Sequence, residues 1–308
     1  MNDIQQMAQA IITAHQPRFG NADTQLDAPM AFTSTAPVYQ AAKQACAALG
    51  FIDVDAQYLG LAWQAQSERT GGFDAMAWPC EPQDFGMGAF PPSSRERGFA
   101  SCPDRLGLYA VLPDAAWVGR IARAGVPTVQ LRFKSDDAGA IAGEVQAAVE
   151  AVQGTGALLF INDHWEAAIA AGAYGVHLGQ EDLDALGTTQ RARLNASGLR
   201  LGISTHGYAE MVRADAVSPS YIAMGAVFPT TLKRMATAPQ GLARLNAYAK
   251  LMRGYSQVAI GGIDGQSLPA VLASGVGSVA VVRAIIGAAD PEAACSRLTE
   301  IFEANVRR

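Results

Sequence analysis

LGLYAVLPDAAWVGRIARAGVPTVQLRFK, residues 106–134, consists of an apolar run, an amphipathic segment and a second apolar run. LGLYAVL (106–112) and TVQLRF (128–133) are short, rich in β-favouring side chains and bounded by Pro and Gly, which predicts two buried strands. Between them, 115–124 repeats its apolar residues at helical spacing. Two buried strands joined by a covering helix predict a parallel pair. The same rhythm runs on through ALLFI (157–161), YGVHL (174–178), LRLGI (199–203), YIAMG (221–225), QVAIG (257–261) and SVAVV (278–282), with Ala-rich helical segments between them. Such nearly all-apolar strands belong to parallel sheets covered by helices. Eight alternations close a (β/α)8 TIM barrel, an α/β fold. A doubly wound open sheet is the competing architecture, but no GxGxxG follows the first strand.

Residues 1–103 read differently. Helical periodicity covers 4–15, 36–49 and 54–67, and 71–104 is irregular and turn-rich, with GG, FPPSS and CPD. The expected organisation is a mostly helical extension, 1–103, followed by the barrel, 104–308. The extension shows no catalytic constellation. His15 is expected on the surface of a helix, and Trp63 and Trp78 as core anchors. Removing 1–103 is expected to leave a soluble, active barrel.

Composition narrows the function. Of 308 residues, 50% are hydrophobic and 17% charged, with a net charge of −5, which fits a core-rich enzyme and argues against nucleic acid or a polybasic membrane surface as partner. Cys46, Cys80, Cys102 and Cys295 show neither CxxC nor metal spacing, so reduced thiols in a cytoplasmic protein are expected. The N-terminus lacks the pattern of a signal peptide, and the longest apolar candidate, 278–289, is broken by Arg283.

Polar residues collect where the strands end, which in a barrel is where chemistry belongs. On a strand, Gln130, Arg132 and Lys134 stand at i, i+2 and i+4 and share one side. That row is either the solvated face of an edge strand or an anion grip. Lysine is scarce here, with only Lys43, Lys134, Lys233 and Lys250 among 23 basic residues, and Lys134 and Lys233 lie in stretches suited to phosphate oxygens. The third strand ends in Asn162-Asp163, the fourth leads to Gln180-Glu181-Asp182, and the fifth to Ser204-Thr205-His206. The sixth leads to Thr230-Thr231-Leu232-Lys233, the seventh to Gly261-Gly262, and the eighth to Val282-Arg283. Each group alone reads as a helix cap or a turn. Together they sort by chemistry. Asp163 and Asp182 offer the hard oxygens Mg²⁺ takes. Arg132, Lys134 and Lys233 offer three cations, and Gly261-Gly262 with the backbone after the eighth strand offers a phosphate cup. Two phosphorylated small-molecule substrates, one of them a diphosphate, are implied.

VQLRFK, FINDHWEAAIAAGAYGVHLGQED, GISTH, GAVFPTTLKRMATAPQGL and VAIGGI occur in that order across 106–298. In these motifs the chain resembles the thiamine phosphate synthase (thiamine-phosphate pyrophosphorylase) family. The resemblance implies a transferase that joins 4-amino-2-methyl-5-hydroxymethylpyrimidine diphosphate to 4-methyl-5-(2-phosphoethyl)thiazole, or its carboxylated form, giving thiamine phosphate and pyrophosphate. It implies Gln130, Arg132, Lys134, Asn162, Ser204 and Lys233 at the pyrimidine diphosphate, with Arg132, Lys134, Ser204 and Lys233 serving catalysis. It implies Asp163 and Asp182 as Mg²⁺ ligands, and Thr230, Thr231, Gly262, Val282 and Arg283 at the thiazole phosphate. A homo-oligomer follows from the family's habit.

Three positions depart from the family pattern. The common Thr-x-Thr-Lys reads Thr230-Thr231-Leu232-Lys233, so the second hydroxyl is lost or moved to Thr231. Phe133 and Arg283 replace residues that are often polar and small, respectively, and Arg283 either touches a phosphate or points outward. His206 is the acid–base candidate near the site, although the implied reaction demands none; His164 and His177 read as weaker candidates. Competing readings are a thiazole tautomerase-like relative, an idle thiamine-pathway binding barrel, and a phosphate-binding barrel of sugar-phosphate or tryptophan metabolism. The intact cation and aspartate set argues against all three.

Overall fold

The computed structural model describes residues 3–20, 30–92, 95–96, 98–230 and 238–306. They form two compact units: Met1–Phe90 with Gly207–Ala216, and Pro91–His206 with Val217–Arg308. The first unit begins with α1 (Asp3–Phe19), α2 (Pro37–Ala48) and α3 (Asp53–Thr70), close to the three periodic segments of the sequence.

The second unit is the barrel. Its strands are β1 (Gly107–Leu112), β2 (Thr128–Leu131), β3 (Leu158–Asn162), β4 (Gly175–Leu178), β5 (Arg200–Thr205), β6 (Tyr221–Met224), β7 (Ser256–Ile260) and β8 (Ser278–Val281). They pair in parallel in sequence order, and β8 closes on β1. The intervening helices are α4 (Ala115–Arg123), α5 (Ala138–Ala151), α6 (Trp165–Ala171), α7 (Gln180–Ala185), α8 (Thr188–Ala196), α9 (Tyr208–Asp215), α10 (Gly241–Leu251), α11 (Leu268–Leu272), α12 (Arg283–Ile286) and α13 (Pro291–Val306). The (β/α)8 architecture expected from 106–134 outward is the one found.

Strand parity decides what fills the barrel. Tyr109 and Val111 of β1, Phe160 of β3, Tyr221 and Ala223 of β6, Val258 of β7 and Ala280 of β8 form one buried cluster. The register carries that inward phase around the sheet, setting Tyr109 opposite Ala280, Gln130 opposite Phe160 and His177 opposite Gly202. Gly202 is glycine for a steric reason: a Cβ there would strike the Tyr221 ring.

Helix α9 lies between β5 and β6 in the chain but packs within the first unit. There the Tyr208 hydroxyl accepts from Trp78 Nε1 at 2.9 Å, and the Tyr208 ring stacks on Phe85 at 5.3 Å. Trp63 is fully buried and Trp78 half-buried, as core anchors should be. His15 corrects its expectation. It is buried, not on the surface, with its ring 4.9 Å from Trp78 and 5.8 Å from Trp63, and its Nε2 donates to Ala75 O at 2.9 Å. Lys43 is buried too, donating to Ala31 O at 2.7 Å and paired with Asp53 at 2.9 Å.

The segment read as a linker is sewn to the strand starts of the barrel. Phe99 N donates to Ser218 O at 3.0 Å, Ser220 Oγ to Ala100 O at 2.6 Å, and Ser256 Oγ to Pro103 O at 2.7 Å. Leu106 N donates to Ser278 Oγ at 2.7 Å, and Leu106 and Cys102 pack on the interior cluster. Burial pushes the Cys102 thiol up to about 12.

Candidate active site

A continuous hydrogen-bonded chain runs through the barrel interior. Tyr109 Oη donates to Gln130 Oε1 at 2.8 Å, and Gln130 Nε2 donates to Asn162 Oδ1 at 2.8 Å. The Tyr109 and Tyr221 hydroxyls meet at 2.9 Å. His177 spans from the Tyr221 hydroxyl, 2.7 Å from Nδ1, to Ser204 Oγ, 2.8 Å from Nε2. A phenol has one proton to give. Tyr109 gives its proton to Gln130, so Tyr221 must donate to Tyr109. Tyr221 then has none left for His177, which must donate from Nδ1; a neutral imidazole then accepts at Nε2 from Ser204. Burial pushes both phenols above their ordinary range, which keeps them protonated and the chain intact. The polarity runs one way, from the Ser204 hydroxyl to the Asn162 amide. It leaves Ser204 its lone pairs as acceptors and Asn162 its N–H groups as donors, a complementary pair for a flat heteroaromatic ring.

The charged groups lie where the loops begin. β2 ends at Leu131, so Gln130 faces inward from the strand while Arg132 and Lys134 sit on the chain beyond it. The strict strand row read from the sequence therefore holds for Gln130 alone. Arg132 is half-buried and its N–H extends the ladder to Leu112 O at 2.7 Å. Lys134 Nζ donates to Asp163 Oδ2 at 2.5 Å. His164 Nε2 donates to Phe133 O at 3.1 Å and ties the loop after β2 to the loop after β3. Asp163 takes a left-handed backbone, φ 64°, a conformation that Asp adopts more readily than most residues with a side chain.

Asp163 and Asp182 are brought together. Burial first, and next the charge of Asp163, hold Asp182 above the ordinary carboxylate range. Two carboxylates that repel each other beside an ammonium fit a divalent cation, which would offset the repulsion. Among the described residues no group of three His, Cys, Asp or Glu could hold a metal, so the chain would supply two ligands and leave the rest to water and substrate oxygens, the habit of Mg²⁺.

On the other side, the loop after β6 runs against the loop after β7. Val227 N donates to Ile260 O and Phe228 N to Gly261 O, both at 3.0 Å. Gly262, with φ 67°, sits so close that a Cβ would press on Pro229 O, next to Thr230. Val282 starts α12 and its carbonyl accepts from Ile285 N and Ile286 N at 3.0 and 3.1 Å, while Arg283 is exposed. Thr231, Leu232 and Lys233 lie outside the described residues.

The sequence model of one protein family, described as thiamine monophosphate synthase, matches residues 108–285. The chain belongs to this family. Thiamine-phosphate synthase of Neisseria meningitidis serogroup B is 54% identical over 198 residues, 64% of this chain and 95% of that protein. Thiamine-phosphate synthase of Yersinia pseudotuberculosis is 48% identical over 206 residues, 67% of this chain and 94% of that protein. Among solved structures, thiamine phosphate pyrophosphorylase from Pyrococcus furiosus is similar at a TM-score of 0.59 and 28% identity, covering 66% of this chain and 98% of that one. The family match begins inside β1, so α1–α3 precede it.

Two side chains of the site, Tyr109 and Tyr221, are not among the residues singled out at the strand ends, and His177 ranks there only as a weaker acid–base candidate. Each sits within a strand, an inward position below the loops. Parity was the available signal, since Tyr109 and Val111 share a face, and so do His177 and Gly175. Their polar atoms carry no such signal until the strands close into a barrel.

Proposed function

We propose that this site joins a hydroxymethylpyrimidine diphosphate to a thiazole phosphate, forming thiamine phosphate and releasing pyrophosphate. One observation carries the reading: Lys134, Asp163 and Asp182 converge at the strand ends that also bear the Ser204–Asn162 hydrogen-bonded chain. The chain's polarity suits the pyrimidine ring, with Asn162 donating and Ser204 accepting. Arg132 and Lys134 face the diphosphate, and the resemblance to the family gives Lys233 the same role. Thr230, Thr231, Gly262 and the backbone at Val282 and Arg283 hold the thiazole phosphate.

The reaction breaks the bond between the pyrimidine methylene carbon and the diphosphate oxygen, and both electrons leave with pyrophosphate. The methylene cation that remains is stabilised by the pyrimidine ring. The thiazole nitrogen then supplies its lone pair to form the new carbon–nitrogen bond. Arg132, Lys134 and Lys233 oppose the charge that grows on the leaving oxygens, the kind of stabilisation whose loss costs about 10²–10³ in rate. A Mg²⁺ held by Asp163 and Asp182 would supply further charge neutralisation to the diphosphate. Four free thiols and the phosphorylated substrates support a cytoplasmic setting. Among the described residues no helix is long and apolar enough to cross a membrane.

The test mixes the purified protein with both substrates and Mg²⁺ and follows pyrophosphate, with Lys134→Ala alongside. Release that needs both substrates and falls by about 10²–10³ in the variant is expected. Folded protein that releases none would exclude the synthase reading.

A further inference from the structure

Helix α9 starts without a cap of its own. Its N-cap residue, Gly207, has no side chain to accept the first N–H groups of the helix. The acceptor comes from far away in sequence: Asp55 of α3, 4% exposed, takes the Ala209 N–H on Oδ1 at 2.9 Å. Its carboxylate lies at the helix end where negative charge is favoured. Gly207 is extended, with φ −179°, a conformation open to any residue, so its identity needs another reason. A Cβ at 207 would fall on the Asp55 carboxylate. The glycine that ends the GISTHG run and the aspartate of α3 are thus a matched pair. The far end of α9 is held in the opposite sense, its own Asp215 Oδ2 accepting from Gly88 N at 3.1 Å.

We propose that Asp55 is a positioning residue for the synthase reaction, an inference that rests on the reading above. By capping α9, Asp55 fixes the chain that leaves β5, and with it the Ser204 hydroxyl that His177 holds from the other side. Only Thr205 and His206 separate Ser204 from Gly207. Slack at the start of α9 therefore has a short path to Ser204. Asp55 would act through the covalent chain from Gly207 back to Ser204, without touching substrate.

Steady-state kinetics on the full-length protein test this, with each substrate varied in turn and rates normalised to folded protein by circular dichroism. Asp55→Ala is expected to raise the KM for the pyrimidine diphosphate by about five-fold or more and leave the KM for the thiazole phosphate unchanged. Asp55→Asn, whose amide oxygen still accepts, is expected to stay within about two-fold of wild type. Gly207→Ala displaces the carboxylate and should reproduce the Asp55→Ala signature. Added to Asp55→Ala it should change nothing more, because the group it strikes is gone. If Asp55→Ala does not fold, Gly207→Ala gives the same reading. Unchanged KM values in both variants, with kcat following only the folded fraction, would reduce the cap to a structural role and overturn the proposal. A folded wild type without synthase activity would remove the synthase reading, and this inference with it.

Discussion

His177 Nδ1 lies 2.7 Å from the Tyr221 hydroxyl, and that contact carries to the barrel mouth the direction that Tyr109 sets at Gln130. With Tyr109 committed to Gln130, the imidazole can only donate to Tyr221, and in its neutral form its other nitrogen accepts from Ser204. A residue in mid-strand thereby determines which hydrogen-bonding role a residue at the barrel mouth offers its ligand.

Tyr221→Phe keeps the ring over Gly202 and removes only the oxygen. It leaves His177 Nδ1 without its acceptor and Tyr109 without its donor. A loss of about 1–3 kcal/mol is expected from stranding a buried polar group, seen as a lower midpoint in urea denaturation with an unchanged slope. The freed imidazole can also turn its tautomer around, so a raised KM for the pyrimidine substrate should accompany the loss. An unaltered midpoint would mean that water replaces the hydroxyl.

The carboxylate pair makes a prediction about metal. Chelation should stop pyrophosphate release and Mg²⁺ should restore it. Asp163→Asn should raise the Mg²⁺ concentration needed for half-maximal rate by about ten-fold or more, since one of two protein ligands has lost its charge. Asparagine tolerates the left-handed backbone at 163, so this variant should fold, and thermal melting without metal checks that it does.

His15 makes the first unit sensitive to acid. Burial lowers its pKa from the ordinary 6.5, with the Ala75 carbonyl opposing the shift. Below 6.5 the unfolded chain takes up a proton that the folded one resists. Stability is therefore fully present above that pH, falls as pH drops through the window beneath it, and levels off once the folded imidazole is also charged. His15→Gln keeps an N–H for Ala75 and cannot titrate. Its melting temperature should lose less than that of wild type between about pH 7.5 and 5.5. Parallel losses would show that other groups govern the acid limb.

Truncation gives a fourth test, and its expected result differs from the one the sequence alone implies. Deleting residues 1–90 removes Asp55, Trp78 and Phe85 from α9 and bares Tyr208, Met211 and Ala214, which are buried in the intact chain. A sharply lower melting temperature and aggregation are expected instead of a soluble, active barrel. A truncated barrel as stable as the full chain would mean that α9 repacks by itself.

The fold was legible because its signal is periodic. Each of the eight apolar runs became a strand within a residue or two at either end; β2 stops two residues short of TVQLRF, and β5 runs two residues past LRLGI. The loop residues were legible because charged side chains are scarce in this chain, so Lys134, Asp163 and Asp182 stood out against apolar neighbours. Tyr109, Tyr221 and His177 did not, since an inward tyrosine on a strand looks like core until closure brings it against another polar atom. The burial of His15 was hidden for a related reason. Its aromatic neighbours Trp63 and Trp78 are far from it in sequence, and nothing within α1 announces them.

The sharing of α9 also bears on the order of events during synthesis. The N-terminal segment leaves the ribosome first, yet the hydroxyl that Trp78 binds belongs to a tyrosine 130 positions further on. Until that stretch emerges, Phe51 and Phe85 lack the ring they pack against and Trp78 lacks its acceptor. The segment is thus no autonomous folding module that finishes before the barrel starts. Its last contacts can form only after five strands have been made, and long-range closure of this kind slows folding and lengthens the exposure of apolar surface.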